Sequence, residues 1–447
     1  MPSFAARFDG ERREQDMFRK KNPEVLVVGA GPVGQFAALA LATEKIPLRI
    51  VDAGIWACSH SYALALHPQT VSILENFGLG DRIRDRSYPV TRMAFYEGEE
   101  RKFVLQLGDS RNPGHNMLVV RQDALESTLE KALNDLGVKV EWRVNVADIV
   151  SNFHHATAIL HHMQRESRGY VVAHSEWMVH KKEKLDVPVV VGADGYDSEA
   201  RRSMGIPFDQ TGPPQHFAVF EFDSDVDLDH EVRVVFSPEG TSVLWPLPNG
   251  RCRWSFEIPT IASRSPRRDK DRLLLDAGMP DHAFLDGSHL RQYLKVRAPW
   301  SEGAVDQVHW RMAVRFEKRL AARFGTQRVW LAGDAAHLTG PIGVQSMNAG
   351  IGEALDLSVH VGRVTRGGAS CQELEGYHEK WHAEWSRLSG ISGSLTPMPG
   401  CDPWVASRAT EILPCLPAYG PQLQELAGQM GLAFQEVSHP VEEVPHG

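Results

Sequence analysis

The 447-residue chain is short of cysteine. It has five, Cys58, Cys252, Cys371, Cys401 and Cys415, widely spaced and with no C-x-x-C pair. An odd, scattered set argues against a disulfide framework or a structural zinc site and for a reducing compartment. Long apolar runs are also missing. The longest, 25–34, is broken by glycines, so nothing meets the roughly 20-residue span of a membrane helix. Excess positive charge is absent: 48 Lys and Arg face 57 Asp and Glu, for a formal net charge of −9. Such a balance argues against wrapping nucleic acid. No H-E-x-x-H falls in the histidine-rich stretch 154–180, and the chain has no internal repeat and no low-complexity segment. The opening MPSFAARFDGERREQDMFRKK lacks the apolar centre of a signal peptide. It reads as a flexible polar lead over 1–22, and a cytoplasmic location is expected.

What is present alternates between strand and helix. Apolar runs and breakers predict a buried strand over 25–29, a helix over 33–44 and a strand over 48–52. A short helix over 69–77 ends at Gly78, and 117–142 reads as strand, helix, strand with Gly137 as the stop. From 215 to 258 the texture becomes HFAVFEF, EVRVVFS, TSVLWPL and CRWSFEI, separated by turn signals. These predict an antiparallel sheet inserted as its own layer, joined by strands near 91–96 and 102–107. After 327 the α/β texture returns: RVWLAGD is a strand, 351–364 and 373–388 are helices, and a last helix covers 423–430. The fold class is therefore α/β, a dinucleotide-binding Rossmann-like domain with an inserted antiparallel sheet and a helical C-terminal region.

In VLVVGAGPVG, Gly29, Gly31 and Gly34 keep the G-x-G-x-x-G spacing between that strand and that helix, and Pro32 opens the helix. Gly29 permits the tight turn, Gly31 lets backbone approach a pyrophosphate, and Gly34 lets helix and strand pack closely. The helix start offers free N–H groups and a positive dipole end. Asp52, at the end of the second strand, is in register for a ribose hydroxyl. The alternative is a structural turn without ligand, and the cradle alone does not choose between FAD and NAD.

Two later stretches bear on that choice. VVVGADGYDSEARRSMG carries Asp194-Gly195, Ser198 and Arg201; RVWLAGDAAHLTGPIGVQSMNAGIGEALDLS carries Gly333-Asp334, His337, Pro341, Gly343 and Asn348. In this order and separation, the three motifs resemble those of the single-component flavin-dependent aromatic hydroxylases, whose fold is that of p-hydroxybenzoate hydroxylase. The likeness runs from about 25 to 380. It implies FAD as cofactor, NADH or NADPH as transient co-substrate, and molecular oxygen. It implies hydroxylation of an aromatic or other electron-rich small molecule through a flavin hydroperoxide. It places Asp334 on ribityl or ribose hydroxyls and Arg121 near the FAD phosphates or ribose. Asp194 and Gly195 would serve FAD as well. Pro341, Gly343, Met347 and Asn348 would lie beside the isoalloxazine, ahead of a helix start that suits its anionic reduced form. The implied FAD-binding domain comprises 23–87, 116–212 and 320–365. The implied substrate domain comprises 88–115 and 213–319, and 366–447 forms the helical and irregular C-terminal region. A homodimer is carried as an expectation.

The chain departs from the family pattern in places. Ser346 follows Gln345 where the family often has glycine, Tyr62 stands near a common arginine position, and Lys380-Trp381 replace an arginine after Tyr377. The thioredoxin-like extension of the larger phenol hydroxylases is not expected. No catalytic acid or base is assigned. The substrate is expected between the flavin loop and the antiparallel sheet, near Pro341, with Trp245 stacking on it and Arg253 meeting a carboxylate or phenolate. The competing reading makes these residues sheet core. WSFEIP, 254–259, is also similar to a box of flavin-dependent halogenases, so a halogenase or a reductase on the same fold is the enzymatic alternative. A carrier that has kept the fold is the non-enzymatic one. The histidine-rich stretch from His154 to His180 reads as a solvated hairpin, and no metal is expected. The basic run 263–272 reads as a solvated loop.

Overall fold

Val25–Val28 is buried at every position and lies in the middle of a six-stranded sheet. In this computed structural model, which describes residues 22–56, 65–108, 116–168, 174–224, 228–259, 274–275, 285, 287–301, 305, 307–367, 370–417 and 420–432, the order is Gly325–Thr326, Val329–Leu331, Val189–Gly192, Val25–Val28, Leu48–Asp52, Val140–Trp142. The five longer strands run parallel, and the first pair is antiparallel. Strands covered on both faces read as unbroken apolar runs rather than alternations, which is why VLVV and VVVG were legible. Helix Pro32–Thr43 packs against helices Gln122–Asp135 and Gln345–Gly367.

A long antiparallel meander, Val144–Ser151, Ala156–Arg168 and His174–Val187, shares this core through Val146, Ile149, Ala158, Leu160 and Val187. Arg49 ties the two layers, with Nε on Glu141 at 2.7 Å and Nη1 on Glu183 at 2.6 Å. The histidine-rich stretch is this meander. His154 and His155 lie exposed in its turn, and His162 Nε2 meets Glu183 at 2.7 Å. Among the described residues, no group of three His, Cys, Asp or Glu could hold a metal ion.

The inserted sheet has nine strands. Its path is Leu274–Leu275, Val308–Ala321, Phe208–Asp223, Arg251–Ile258, Gly240–Leu247, Glu231–Ser237, Arg92–Glu97, Glu100–Gln106, with His337–Leu338 added to Val308–Ala321. Arg92–Glu97 joins in parallel register to Glu231–Ser237 and the rest is antiparallel. Alternation separates its two faces. Phe217, Val219, Val243, Trp245, Met312 and Val314 form one core with Ile342, Leu413, Cys415 and Leu416. Phe220, Leu244, Trp254 and Phe256 form the other with Leu290 and Leu294 of helix Gly287–Arg297.

Four elements differ from the sequence reading. Met117–Val120 does not join the parallel sheet; it lies between Ala65–Leu66 and Ser87–Val90 in a small antiparallel sheet. Strand Phe208–Asp223 crosses the expected boundary at 212/213 without a break in pairing to Val308–Ala321 beyond local bulges. The helix expected from 351 begins at Gln345. The last helix, Gln422–Gln429, winds with left-handed dihedrals, φ 44° to 55° through 423–428. That hand costs L-residues roughly 1–2 kcal/mol each, and no contact in the structure accounts for it. The lead 1–21, Cys58 to Tyr62 and the basic run 263–272 lie outside the described residues.

Candidate active site

The three sequence motifs meet at the C-terminal end of the strand Val25–Val28. Gly29 has φ +99°, and a Cβ there would lie 2.2 Å from the Ala193 carbonyl oxygen and 2.8 Å from Asp194 Cα. The first and second motifs are therefore in backbone contact. A Cβ on Gly34 would lie 2.0 Å from the Gly29 carbonyl oxygen, so this glycine sets how closely the helix approaches its strand. Gly333, φ +64°, and Gly350 both press on Val33, with Cβ positions 3.0 and 2.8 Å from its Cγ2. The third motif thus rests on the first turn of the first helix.

Gly31 is different. A Cβ built on it meets nothing within 4 Å. It stands at the N-cap with no side-chain cap, followed by Pro32 at the first helical position. The helix start consequently presents free backbone donors beside open space.

The acids are engaged with backbone. Asp52 Oδ2 accepts from Ala30 N and Oδ1 from Gly54 N, both at 2.6 Å. It braces the glycine turn, and each oxygen keeps a lone pair. Asp194 accepts from Ser198 Oγ at 2.5 Å, Glu199 N at 2.7 Å and Ala200 N at 3.1 Å, so it caps the helix Glu199–Ser203. Enclosure raises its pKa against these hydrogen bonds. Gly195, φ +77°, makes the turn between. Arg201 is buried, reaches Ala335 O and Tyr196 O at 2.7 Å each, and lies 3.9 Å over the Phe208 ring. Its burial lowers its pKa to about 10. Arg201 therefore locks the second motif to the third. Arg121 turns to Asp123 at 3.3 Å and Glu221 at 3.4 Å, on the wall of a cleft of about 410 Å³ that also holds Arg86 and Arg251.

Asp334 is open to solvent along the cleft, while protein encloses its carboxylate elsewhere; this desolvation raises its pKa, opposed by a 2.5 Å hydrogen bond from Ser346 Oγ. Behind it lies a buried polar cluster that sequence reading missed. Glu353, fully buried, accepts from Gly333 N at 2.8 Å and Trp385 Nε1 at 2.7 Å, and His337 Nε2 lies 2.7 Å from its Oε1. The only sequence signal was an acid on the apolar face of an amphipathic helix.

The loop before the long helix is pinned from two sides. Asn348 Oδ1 accepts from His67 N at 2.7 Å, and its Nδ2 donates to Ala65 O at 2.9 Å and Val344 O at 2.8 Å. His67 Nε2 lies 2.9 Å from Gly343 O. Gln345 Nε2 donates to Leu413 O at 3.1 Å and Leu416 O at 3.0 Å, and a Cβ on Gly343 would lie 2.3 Å from Pro414 O. Pro341 is half-buried, whereas Met347 and Asn348 are buried in the first turn of the helix rather than in the loop.

On the sheet, the two residues expected to touch substrate are committed elsewhere. Trp245 is 2% exposed within the core shared with Ile342 and Leu416. Arg253 is 4% exposed, donates from Nε to Glu221 at 2.9 Å with a second, shorter contact from Nη2, and lies 5.4 Å over Trp310. Glu221 on the neighbouring strand was not foreseen. Trp254 stacks on Phe256 at 5.0 Å beneath Tyr293, so the WSFEIP stretch is core of the opposite face.

The residues present fit FAD. The open glycine and uncapped helix start suit a pyrophosphate, and Asp334 offers an acceptor for a hydroxyl further along. A family model described as "FAD binding domain" matches residues 22–388. Among curated proteins, the chain is 27% identical over 430 residues to 6-methylpretetramide 4-monooxygenase of Streptomyces rimosus, covering 94% of this chain and 71% of that protein. It is 26% identical over 369 residues to para-nitrophenol 4-monooxygenase of a Pseudomonas species, covering 79% of this chain and 81% of that protein. Among solved structures, p-nitrophenol 4-monooxygenase of Pseudomonas putida superimposes with a TM-score of 0.68 at 22% identity, over 91% of this chain and 95% of that one. Three motifs packed on one another, in a chain matched over most of its length, lead to one conclusion: the protein belongs to the FAD-binding-domain family and is an FAD-dependent monooxygenase.

Proposed function

We propose that this monooxygenase hydroxylates an electron-rich aromatic small molecule, with NADH or NADPH as transient reductant. The observation that carries the reading is the convergence of the glycine turn, the Asp-Gly motif and the Gly-Asp motif on Val33 and Ala193. Bound FAD supplies the redox chemistry, accepting hydride from the nicotinamide and passing one oxygen atom of O2 to the substrate. Gly31 and the N–H groups after it hold the pyrophosphate. Asp334 accepts from a ribityl or ribose hydroxyl. The first turn of Gln345–Gly367 directs its dipole at the flavin and stabilises negative charge there. Asp52 and Asp194 hold the turns in place, and Arg121 supplies positive charge at the phosphate or ribose end.

The substrate seat lies between Pro341–Ile342 and the apolar face of the sheet, with the segment around Leu413 to Leu416 as a third wall. The core behind that face is Phe217, Val219, Val243, Trp245, Met312 and Val314, and the partly buried Trp310, Phe316 and Val344 pack against it. An apolar, water-poor wall suits an aromatic ring and shields the reacting centre. The polycyclic and phenolic substrates named for the two relatives both fit this class.

The test is an absorbance spectrum of the purified protein, then NADH and NADPH oxidation in air against phenols, aromatic acids and polycyclic phenols. Flavin bands, ligand-stimulated oxidation and a product heavier by one oxygen are expected. A protein that takes up FAD but leaves every aromatic unchanged overturns the substrate class. One that cannot take up FAD overturns the site.

A further inference from the structure

Ser346 stands between an exposed carboxylate and the buried His337–Glu353 pair, at a position where the resembled hydroxylases often carry glycine. Its Oγ lies 2.5 Å from Asp334 Oδ1 and 3.3 Å from His337 Nδ1. The His337 ring is fully buried and stacks on Trp385 at 3.8 Å and 19°, which fixes its orientation.

Donor counting constrains the cluster. Gly333 N–H and Trp385 Nε1–H can only donate, and both point at Glu353. The third neighbour, His337 Nε2, reaches Oε1 at 2.7 Å and Oε2 at 2.9 Å. A carboxylate accepting from three donors is satisfied only when Nε2 carries a proton. That assigns Nδ1 to the Ser346 hydroxyl. The hydroxyl has one hydrogen and three acceptors within reach: Asp334 Oδ1, His337 Nδ1 and, at 3.4 Å, the His337 backbone oxygen. When Asp334 is ionised, Ser346 donates to it. When Asp334 is protonated, Asp334 donates to Oγ and Ser346 donates to Nδ1. The other groups around the ring are Phe324, at 6.0 Å, and beyond it His378 and His382. On the far side, Arg201 holds Ala335 O.

We infer that Ser346 is a positioning residue that couples the charge of Asp334 in the cofactor cleft to the buried His337–Glu353 pair. No covalent bond inside the cluster changes: Asp334 takes its proton from solvent, and the Ser346 hydrogen, staying on Oγ, turns from Asp334 to Nδ1. The inference rests on the FAD reading only in making Asp334 a cofactor contact. The direct consequence is a pH dependence of cofactor affinity tuned by the Ser346 hydrogen bond to Asp334. The Ser346 hydrogen bond favours ionised Asp334. Its loss makes Asp334 protonate at higher pH.

The experiment compares the full chain with Ser346→Ala, Ser346→Gly and Ser346→Thr. FAD affinity is read by flavin fluorescence from pH 5 to 9, and the His337 ring nitrogens by NMR in the apoprotein. For Ser346→Ala and Ser346→Gly, the acid limb of FAD affinity should move up by about one pH unit, a tenfold change in Kd on that limb. The Nδ1 resonance should also lose its pH response. Ser346→Thr, which keeps the hydroxyl, should restore both. If all four proteins bind FAD with the same limb and show the same Nδ1 response, the coupling is overturned. If none binds FAD but the Nδ1 response still vanishes with the hydroxyl, the coupling stands and the FAD reading fails.

Discussion

The two walls of the cleft are built by opposite means. On the nucleotide side, the recognition groups are backbone: the glycine turn, an uncapped helix start and a loop pinned by Asn348 and Gln345. Asp52 and Asp194 spend their oxygens holding that backbone in shape. On the sheet side, polar and charged side chains satisfy one another, Arg253 with Glu221 and Gln215 with Glu257 at 3.0 Å, and the rest of that face is apolar core. Binding by backbone requires geometry that few residues allow. Binding by an apolar wall accepts many sequences. One side is thus constrained toward a fixed cofactor, and the other is free to vary with the substrate.

The comparison is broken most severely at Gly29 and Gly34. Valine at either has no space against backbone atoms 2.0–2.2 Å away, so each should cost more than about 4 kcal/mol in denaturant unfolding. Gly31→Val should leave stability within about 1 kcal/mol and still abolish FAD retention, because its Cβ points into open space. Equal stability losses at all three would make the cradle a structural turn.

Next is Glu221→Gln, which strands Arg253 in the sheet. The expected destabilisation is about 3–5 kcal/mol. An unchanged unfolding midpoint with a raised KM would instead make the pair a substrate clamp. A smaller effect is expected at Asp334→Ala: about a tenfold rise in the FAD Kd, equivalent to the loss of one charged hydrogen bond. Its melting temperature without cofactor should fall only slightly, since Asp334 is an exposed residue and the variant loses a hydrogen bond from Ser346 Oγ.

The smallest effect sharpens the contrast in the C-terminal wall. Glu384 is buried, accepts from the Gln422 and Leu423 backbone N–H groups, and has its pKa raised to about 7, chiefly by burial. A carboxyl whose folded pKa lies above its unfolded value stabilises the fold in its protonated form. That contribution is complete below the unfolded pKa, near 4.5, and is lost as pH rises through about 7. Glu384→Gln should therefore gain on the wild type between pH 5 and 8 in thermal unfolding. A difference independent of pH would show that Glu384 is ionised throughout.

Legibility followed the same division. The strand-turn-helix around Gly29 to Gly34 was readable because backbone geometry restricts residue type, and six strands of the inserted sheet because they are rich in Val, Phe and Trp, whereas Val308–Ala321, laden with Arg and Lys, was not. Arg253 looked available because its partner, Glu221, lies on a neighbouring strand, and pairing across strands leaves no mark in one-dimensional spacing. Glu353 was passed over for the same reason: its three donors come from 333, 337 and 385. The bracing by Asp52, expected only at a ribose hydroxyl, was not legible because its Ala30 and Gly54 N–H partners are set by the turn geometry. Met117–Val120 has the composition of a parallel-sheet strand, and only tertiary pairing sends it elsewhere.

The central strand has a consequence for how the chain is made. Val25–Val28 finds its neighbour at Val189–Gly192, which in turn pairs with Val329–Leu331, and the helix behind the glycine turn packs on Gln345–Gly367. A ribosome adding about 5–20 residues per second releases those partners roughly 15–60 seconds after the glycine turn emerges. During that interval the strand has only Leu48–Asp52 to pair with. Contacts so distant in sequence also fold slowly. Recombinant yield should therefore improve with slower synthesis at lower temperature or with added chaperone, and the nascent chain should become protease-resistant only after the segment through 367 has left the tunnel.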